Sequence, residues 1–127
     1  MPPVEIILAR QLASYLSVPI FVVDPDGNLL FYNEPAERIL GTRFDETGKM
    51  SREEWTTVFE PSDEDGVPLP ASELPLIATL ETKQPAFRTF SIRGLDGELR
   101  KVMVVSLPLL AQGKRFVGGL AVFWELK

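Results

Sequence analysis

Hydrophobic positions along this chain change their spacing several times, and each change marks an element. Near the start, Val4, Ile7, Leu8, Gln11, Leu12 and Tyr15 recur at helical spacing, while Glu5 and Arg10 fall off that face and Pro2-Pro3 suits a helix start. This pattern predicts an amphipathic helix over residues 1–16 that either covers a sheet or pairs two copies of the chain. The spacing then tightens. PIFVVDPDGNLLFYN holds two β-branched and aromatic runs around Asp24-Pro25-Asp26-Gly27. Proline presets the second turn position and glycine accepts a left-handed conformation, so the segment reads as a hairpin closed by a type I turn with a bulge.

Helical spacing returns after Asn33, a side chain suited to an N-cap. Glu34 and Pro35 fit the first turn, Ala36, Ile39 and Leu40 form an inward stripe, and Gly41 ends it. A second short helix begins at Ser51, where Ser51 and Glu54 have capping-box spacing and Trp55, Val58 and Phe59 share a face. PSDEDGVPLP is an exposed connection, and SELPLIATLETK forms a third helix with Pro75 in its first turn. Beyond Pro85 come three strand-like runs, Ala86–Arg93, Leu99–Leu107 and Arg115–Glu125, separated by Asp96-Gly97 and Gln112-Gly113. They read as a three-stranded meander. Met103, Val105, Leu120, Val122 and Trp124 alternate with positions read as inward, so these strands are apolar on both faces and their outer side needs a cover.

Composition narrows the chemistry. At 127 residues, 45% hydrophobic and 24% charged, the chain suits one domain able to fold without staples. It contains neither cysteine nor histidine, which removes disulfides, thiolate nucleophiles, the commonest general base near neutral pH and the usual proximal haem ligand. A net charge of −5 without a basic stripe argues against nucleic acid or an anionic membrane as partner. The apolar runs are too short to span a bilayer, and MPPVEIILARQL lacks the basic start and cleavage site of a secretory signal, so a cytoplasmic protein is expected.

The order helix, two strands, three short helices, three strands resembles the PAS domain. PIFVVDPDGNLLFYNEPAERILG is similar to the opening hairpin and asparagine-capped helix of that family, with Pro19, Asp24, Gly27, Asn33, Ala36 and Gly41 at family-like spacing. DGVPLPASELPLIATLETKQP, with the later Leu95-Asp96-Gly97 turn, resembles the helical segment of PAS domains in many bacterial signalling proteins. The resemblance implies an α+β fold: a five-stranded antiparallel sheet of order 2-1-5-4-3, short helices on one face, an N-terminal cap helix (1–16) and a core (18–126). The chain ends at WELK, without the Asp-Ile-Thr type of exit that often leads to an output domain, so the effector is not identified.

The resemblance also implies a space between the inner sheet face and the short helices. Phe21, Phe31, Trp55, Phe59, Leu76, Ile77, Leu80, Phe90, Ile92, Val104 and Phe123 are its expected lining, either filling it as core or enclosing a small apolar ligand. Histidine-ligated haem and cysteine-adduct chromophores are excluded by residue type, and two tryptophans alone make a weak case for non-covalent flavin. Asp63, Glu64, Asp65 and Gly66 do not make a calcium loop: with Gly66 at the sixth position, Pro61 falls at the first and Ser72 at the twelfth, where a carboxylate is needed. No catalytic or metal site is expected. The expected homodimer surface joins Val4, Ile7, Leu8, Leu12 and Tyr15 of the first helix to Met103, Val105, Leu120, Val122 and Trp124 of the sheet. The two functional expectations are a dimeric sensory domain with a ligand in its core, and a ligand-free interaction module.

Overall fold

A computed structural model describes residues 3–126; Met1, Pro2 and Lys127, parts of the expected first helix and domain ends, lie outside the described residues. Five strands, β1 (Ile20–Val23), β2 (Leu29–Tyr32), β3 (Ala86–Arg93), β4 (Leu99–Leu110) and β5 (Phe116–Glu125), form one antiparallel sheet of order β2-β1-β5-β4-β3. Helix α1 (Val4–Ala13) precedes the sheet, and α2 (Glu34–Leu40), α3 (Phe44–Thr47), α4 (Arg52–Val58) and α5 (Pro75–Thr82) separate β2 from β3. This is an α+β fold with the strand order that the resemblance implied.

Local chemistry explains the boundaries. In the β1–β2 turn, the Gly27 amide donates to the Asp24 carbonyl (2.9 Å), and Gly27 has φ +91°, which a residue with a Cβ rarely adopts. Asn33 caps α2 and Gly41 closes it in the left-handed region; the Ser51 hydroxyl accepts from the Glu54 amide and caps α4. Helix α3 has no counterpart among the expected elements. It is a single turn whose Phe44 amide donates to the Glu37 carboxylate (2.8 Å), a partner seven residues back that helical periodicity cannot reveal. Strand β4 also runs past its expected end at Leu107, through Pro108. Proline is tolerated there because β3 stops opposite Ser106, so the missing N–H faces a side with no strand to receive it.

The sheet buries both faces, but unequally. Its inner face packs against α2, α4 and α5 in the larger core, which includes Phe21, Tyr32, Trp55, Leu76, Phe90 and Phe123. On the outer face, α1 lays Ile6 and Ala13 over Ile20 and Val22, with Leu30, Phe31, Leu109, Leu120 and Val122 around them. Gly118 permits this closeness: a Cβ there would lie 2.4 Å from the Val23 carbonyl oxygen and 3.0 Å from Ile6.

One side chain joins α1, the sheet and α2. Asn33, 2% exposed, accepts through Oδ1 from the amides of Ile20 (2.9 Å) and Ala36 (3.2 Å) and donates through Nδ2 to the carbonyls of Ala13 (2.9 Å) and Val18 (2.8 Å). The amide thereby binds two donors and two acceptors, its full complement. Asn33→Ala leaves buried backbone groups unpaired and removes a cap, so urea unfolding should report a loss of about 2–4 kcal/mol. Asn33→Asp keeps the acceptors but sets a carboxylate against two carbonyls. It should be no more stable than the alanine variant at neutral pH; wild-type stability for either would contradict this account.

Candidate functional site

The inner face of the sheet and the helices opposite form a partly open cavity of about 80 Å³. Its walls are Phe21, Leu40, Trp55, Phe59, Pro61, Leu74, Pro75, Leu76, Phe90, Ile92, Val102, Val104, Ala121 and Phe123, all of them buried. Strand alternation delivers Phe90 and Ile92, Val102 and Val104, and Ala121 and Phe123 to the same side. Trp55 carries the one polar side-chain atom in this lining, and its indole N–H is already given to the Gly27 carbonyl at 2.7 Å. The cavity therefore offers shape and dispersion contact, with no free donor, acceptor or charge from a side chain.

Most of the expected lining residues meet at this cavity, with three differences. Ile77 and Leu80 lie in the same core but do not border the void. Phe31 lies on the other face of the sheet. The register of β1 with β2 shifts between Val22 and Val23, so Tyr32 pairs with Phe21, Phe31 with Val22, and Leu29 with Val23. Leu30 is the additional residue of this bulge. Simple alternation from the inward Leu29 would send Phe31 inward and Tyr32 outward; the bulge inverts both. Leu40, Pro61, Leu74, Pro75, Val102 and Ala121 were not anticipated as lining residues. Only Leu40, Val102 and Ala121 carried a signal, through their helical stripe or strand parity; the others approach from loops and helix starts.

Tyr32 begins a line of rings that leaves the core. Trp55 meets Phe21 edge to face (5.1 Å between centroids, 65°), and Phe21 stacks near-parallel with Tyr32 (6.1 Å, 3°). Phe44 then touches both Tyr32 (5.2 Å, 81°) and Phe31 (5.4 Å, 71°), folding around the free edge of β2 from the inner face to the outer. The line ends on α1, where the Arg10 guanidinium lies 4.8 Å from the Phe31 ring centroid. The Tyr32 hydroxyl donates to the Thr42 carbonyl (3.1 Å) and lies 3.2 Å from the Thr47 hydroxyl, and burial raises the tyrosine's pKa.

The expected dimer surface also divides. Val4, Ile7, Leu8, Leu12 and Tyr15 are exposed, because α1 uses Ile6 and Ala13 to cover the sheet and turns the other stripe outward. Leu120 and Val122 are already packed around the α1 contact of the same chain, and Met103 and Val105 are half-buried. Beside them the outer face stays open at Phe87, Leu107 and Trp124; Phe87 is 76% exposed. Phe87 and Leu107 were not anticipated, although both share strand parity with Val105, Phe87 through β3 and Leu107 through β4.

A polar clamp fixes the wall at Leu40. Arg100 donates to the Ile39 carbonyl (2.9 Å) and makes two bonds to Asp96 (3.0 and 2.7 Å), while the Leu95 amide donates to the Leu40 carbonyl (2.8 Å). The end of α2 is thus tied to the β3–β4 loop. Among the described residues, no group of three or more Asp or Glu could hold a metal ion, and no helix is long and apolar enough to cross a membrane.

The comparisons with known proteins agree with this geometry. A family model described as PAS domain matches residues 9–75, slightly more than half of the chain. No curated protein matches the sequence. The fold is similar to that of the PAS domain of an HTR-like protein from Haloarcula marismortui, at 20% identity and TM-score 0.62, with 94% of this chain and 89% of that one covered. It is similar to the PAS domain of BvgS from Bordetella pertussis, at 16% identity and TM-score 0.61, covering 94% and 84%. A LOV protein of Rhodobacter sphaeroides aligns at 13% identity and TM-score 0.75, covering 98% of this chain and 69% of that one. At these identities the likeness is one of fold.

The clamp yields a pH prediction. Hydrogen bonds from Arg100 and from the backbone hold the Asp96 carboxyl down from 3.8 to about 2. A carboxyl depressed on folding contributes stability that is present above its unfolded pKa and lost as pH falls through the folded value. Urea midpoints of the wild type should therefore fall between pH 4 and pH 2 more steeply than those of Asp96→Asn, which lacks this titration. Equal slopes would remove the clamp from the acid response.

Proposed function

The chain belongs to the PAS domain family, and we propose that it works as a single sensory and signalling domain, cap 1–16 and core 18–126, that pairs with a second copy and relays the state of its core. Domains of this family are in general sensory modules rather than catalysts. The observation that carries the reading is the unbroken line of rings from Trp55, which borders the cavity, through Phe21, Tyr32, Phe44 and Phe31 to Arg10 of α1. A change in core packing at Phe21 or Trp55 has a contiguous path to the helix whose outer stripe is free to pair.

The mechanism is a population shift between two dockings of α1: a ligand that fits one core packing better favours the docking that goes with it. Self-pairing is supported by two exposed apolar surfaces, the α1 stripe and the open half of the outer sheet face. The acidic net charge of −5 supports a protein partner rather than nucleic acid or an anionic membrane. A second reading, a ligand-free assembly module, is favoured by the small size of the cavity. The two part on whether filling the core changes self-association, since only the sensory reading expects Ala121→Val to alter the dimer dissociation constant.

Ile7 and Leu8 are 43% and 56% exposed, so charging them leaves the monomer's packing intact. Ile7→Glu and Leu8→Glu should each convert a dimer to monomers in sedimentation velocity, with an unchanged far-ultraviolet circular dichroism spectrum. A wild-type dimer unaffected by both would move the interface away from α1. A monomeric wild type would remove self-pairing altogether.

A further inference from the structure

The cavity restricts its own occupant, an argument that rests on the sensory reading of the core. Its volume is about 80 Å³, roughly half that of the ~150 Å³ apolar cavity known to admit benzene. A haem, a flavin or a single aromatic ring therefore does not fit without enlarging this space. Water is disfavoured too, because it needs two to four polar partners. The one polar side-chain hydrogen nearby, on Trp55, is held by the Gly27 carbonyl, and Pro61 and Pro75 present no amide N–H. Among the described residues, no buried side-chain nitrogen or oxygen lacks a hydrogen-bond partner, so none waits for a ligand.

We infer that the core of this domain binds an uncharged, non-hydrogen-bonding molecule of two to four heavy atoms, the class that includes dioxygen and the shortest hydrocarbons, by dispersion contact alone. Selection rests on size. Ala121 is the smallest side chain of the lining and sits mid-strand on β5, opposite Ser106 of β4 and Phe21 of β1. Added methyl groups at this position would shrink the space, and truncation of Phe59 on the opposite wall would enlarge it.

Xenon is the probe. Methyl-resolved NMR of the full chain under increasing xenon pressure should give saturable shifts for Leu76, Ile92, Val102 and Val104, with the exposed Val67 moving only slightly and linearly. Ala121→Val and the milder Val104→Ile should each weaken xenon binding at least fivefold while keeping a cooperative melt. Ethylene should shift the same methyls and benzene should not, until Phe59→Ala admits it. No saturable shift in the wild type, or unchanged binding in both filled variants, would overturn the assignment. Benzene binding to the wild type, or native mass spectrometry showing a retained larger molecule, would overturn the size limit and leave the sensory reading standing. Saturable xenon binding with no change in sedimentation or in α1 resonances would keep the ligand class and remove the sensory reading.

Discussion

Much of this structure depends on the carboxamide of Asn33. A residue read as an ordinary N-cap turns out to join three elements, because a carboxamide binds two donors on one side and two acceptors on the other. The donors come from the start of β1 and the first turn of α2; the acceptors are the end of α1 and the connection after it. A serine could cap the helix, and an aspartate could also hold the β1 amide, but neither reaches all four groups. The bond to the Ala13 carbonyl matters for the docking of α1. A neutral hydrogen bond contributes about 0.5–1.5 kcal/mol net, which registers α1 on the sheet without locking it there. The remaining hold of α1 on its own chain comes from a narrow contact centred on Ile6 and Ala13 and from Arg10 over the Phe31 ring.

That narrow contact leaves α1 two-faced. Its buried stripe belongs to its own sheet, and its exposed stripe, Val4, Leu8 and Leu12 with Ile7 alongside, is the more apolar of the two. A helix docked by its smaller face can shift when the surface beneath it changes. The surface beneath it is set by the β1–β2 bulge, which turns Phe31 outward toward Arg10 and Tyr32 inward toward Phe21. Phe44 closes the route between the two faces at the edge strand, where it touches both Tyr32 and Phe31. One irregularity in pairing thus links the inner core to the outer helix.

The sequence carried the architecture because its punctuation was strong. Asp24-Pro25-Asp26-Gly27, Asn33, Gly41 and Ser51 each have a local reason to sit where they do, and the structure uses each as expected. Strand parity likewise delivered Phe90, Ile92, Val104 and Phe123 to one side. Parity failed at Phe31, since a bulge of one residue leaves no mark in a short run of Leu, Leu, Phe and Tyr, all able to face either way. Helical periodicity failed differently at α1. Six apolar or large positions share the face of Val4 and Leu8, but the helix docks through Ile6 and Ala13, and Gly118, with no Cβ, lets Ile6 approach the sheet closely enough for these two to suffice. The acceptor for the Trp55 indole and the Glu37 contact to Phe44 were invisible for another reason: both bridge positions distant in sequence, with no motif between them.

A cavity this small still has enough free energy to act. Residual cavity volume costs about 24 cal/mol per Å³ in well-packed cores, so a partly open space of about 80 Å³ corresponds to at most about 2 kcal/mol. An occupant that restores the lost contacts recovers at most that amount, and a competing arrangement that collapses the void recovers part of it without a ligand. The difference available to the proposed population shift is thus about 1–2 kcal/mol, a five- to thirtyfold change in an equilibrium constant. That is too little to drive a change opposed by the whole fold. It is comparable to one hydrogen bond from Asn33 to α1, so under the proposed mechanism the docking of that helix, rather than the sheet or the inner core, is the element poised to respond.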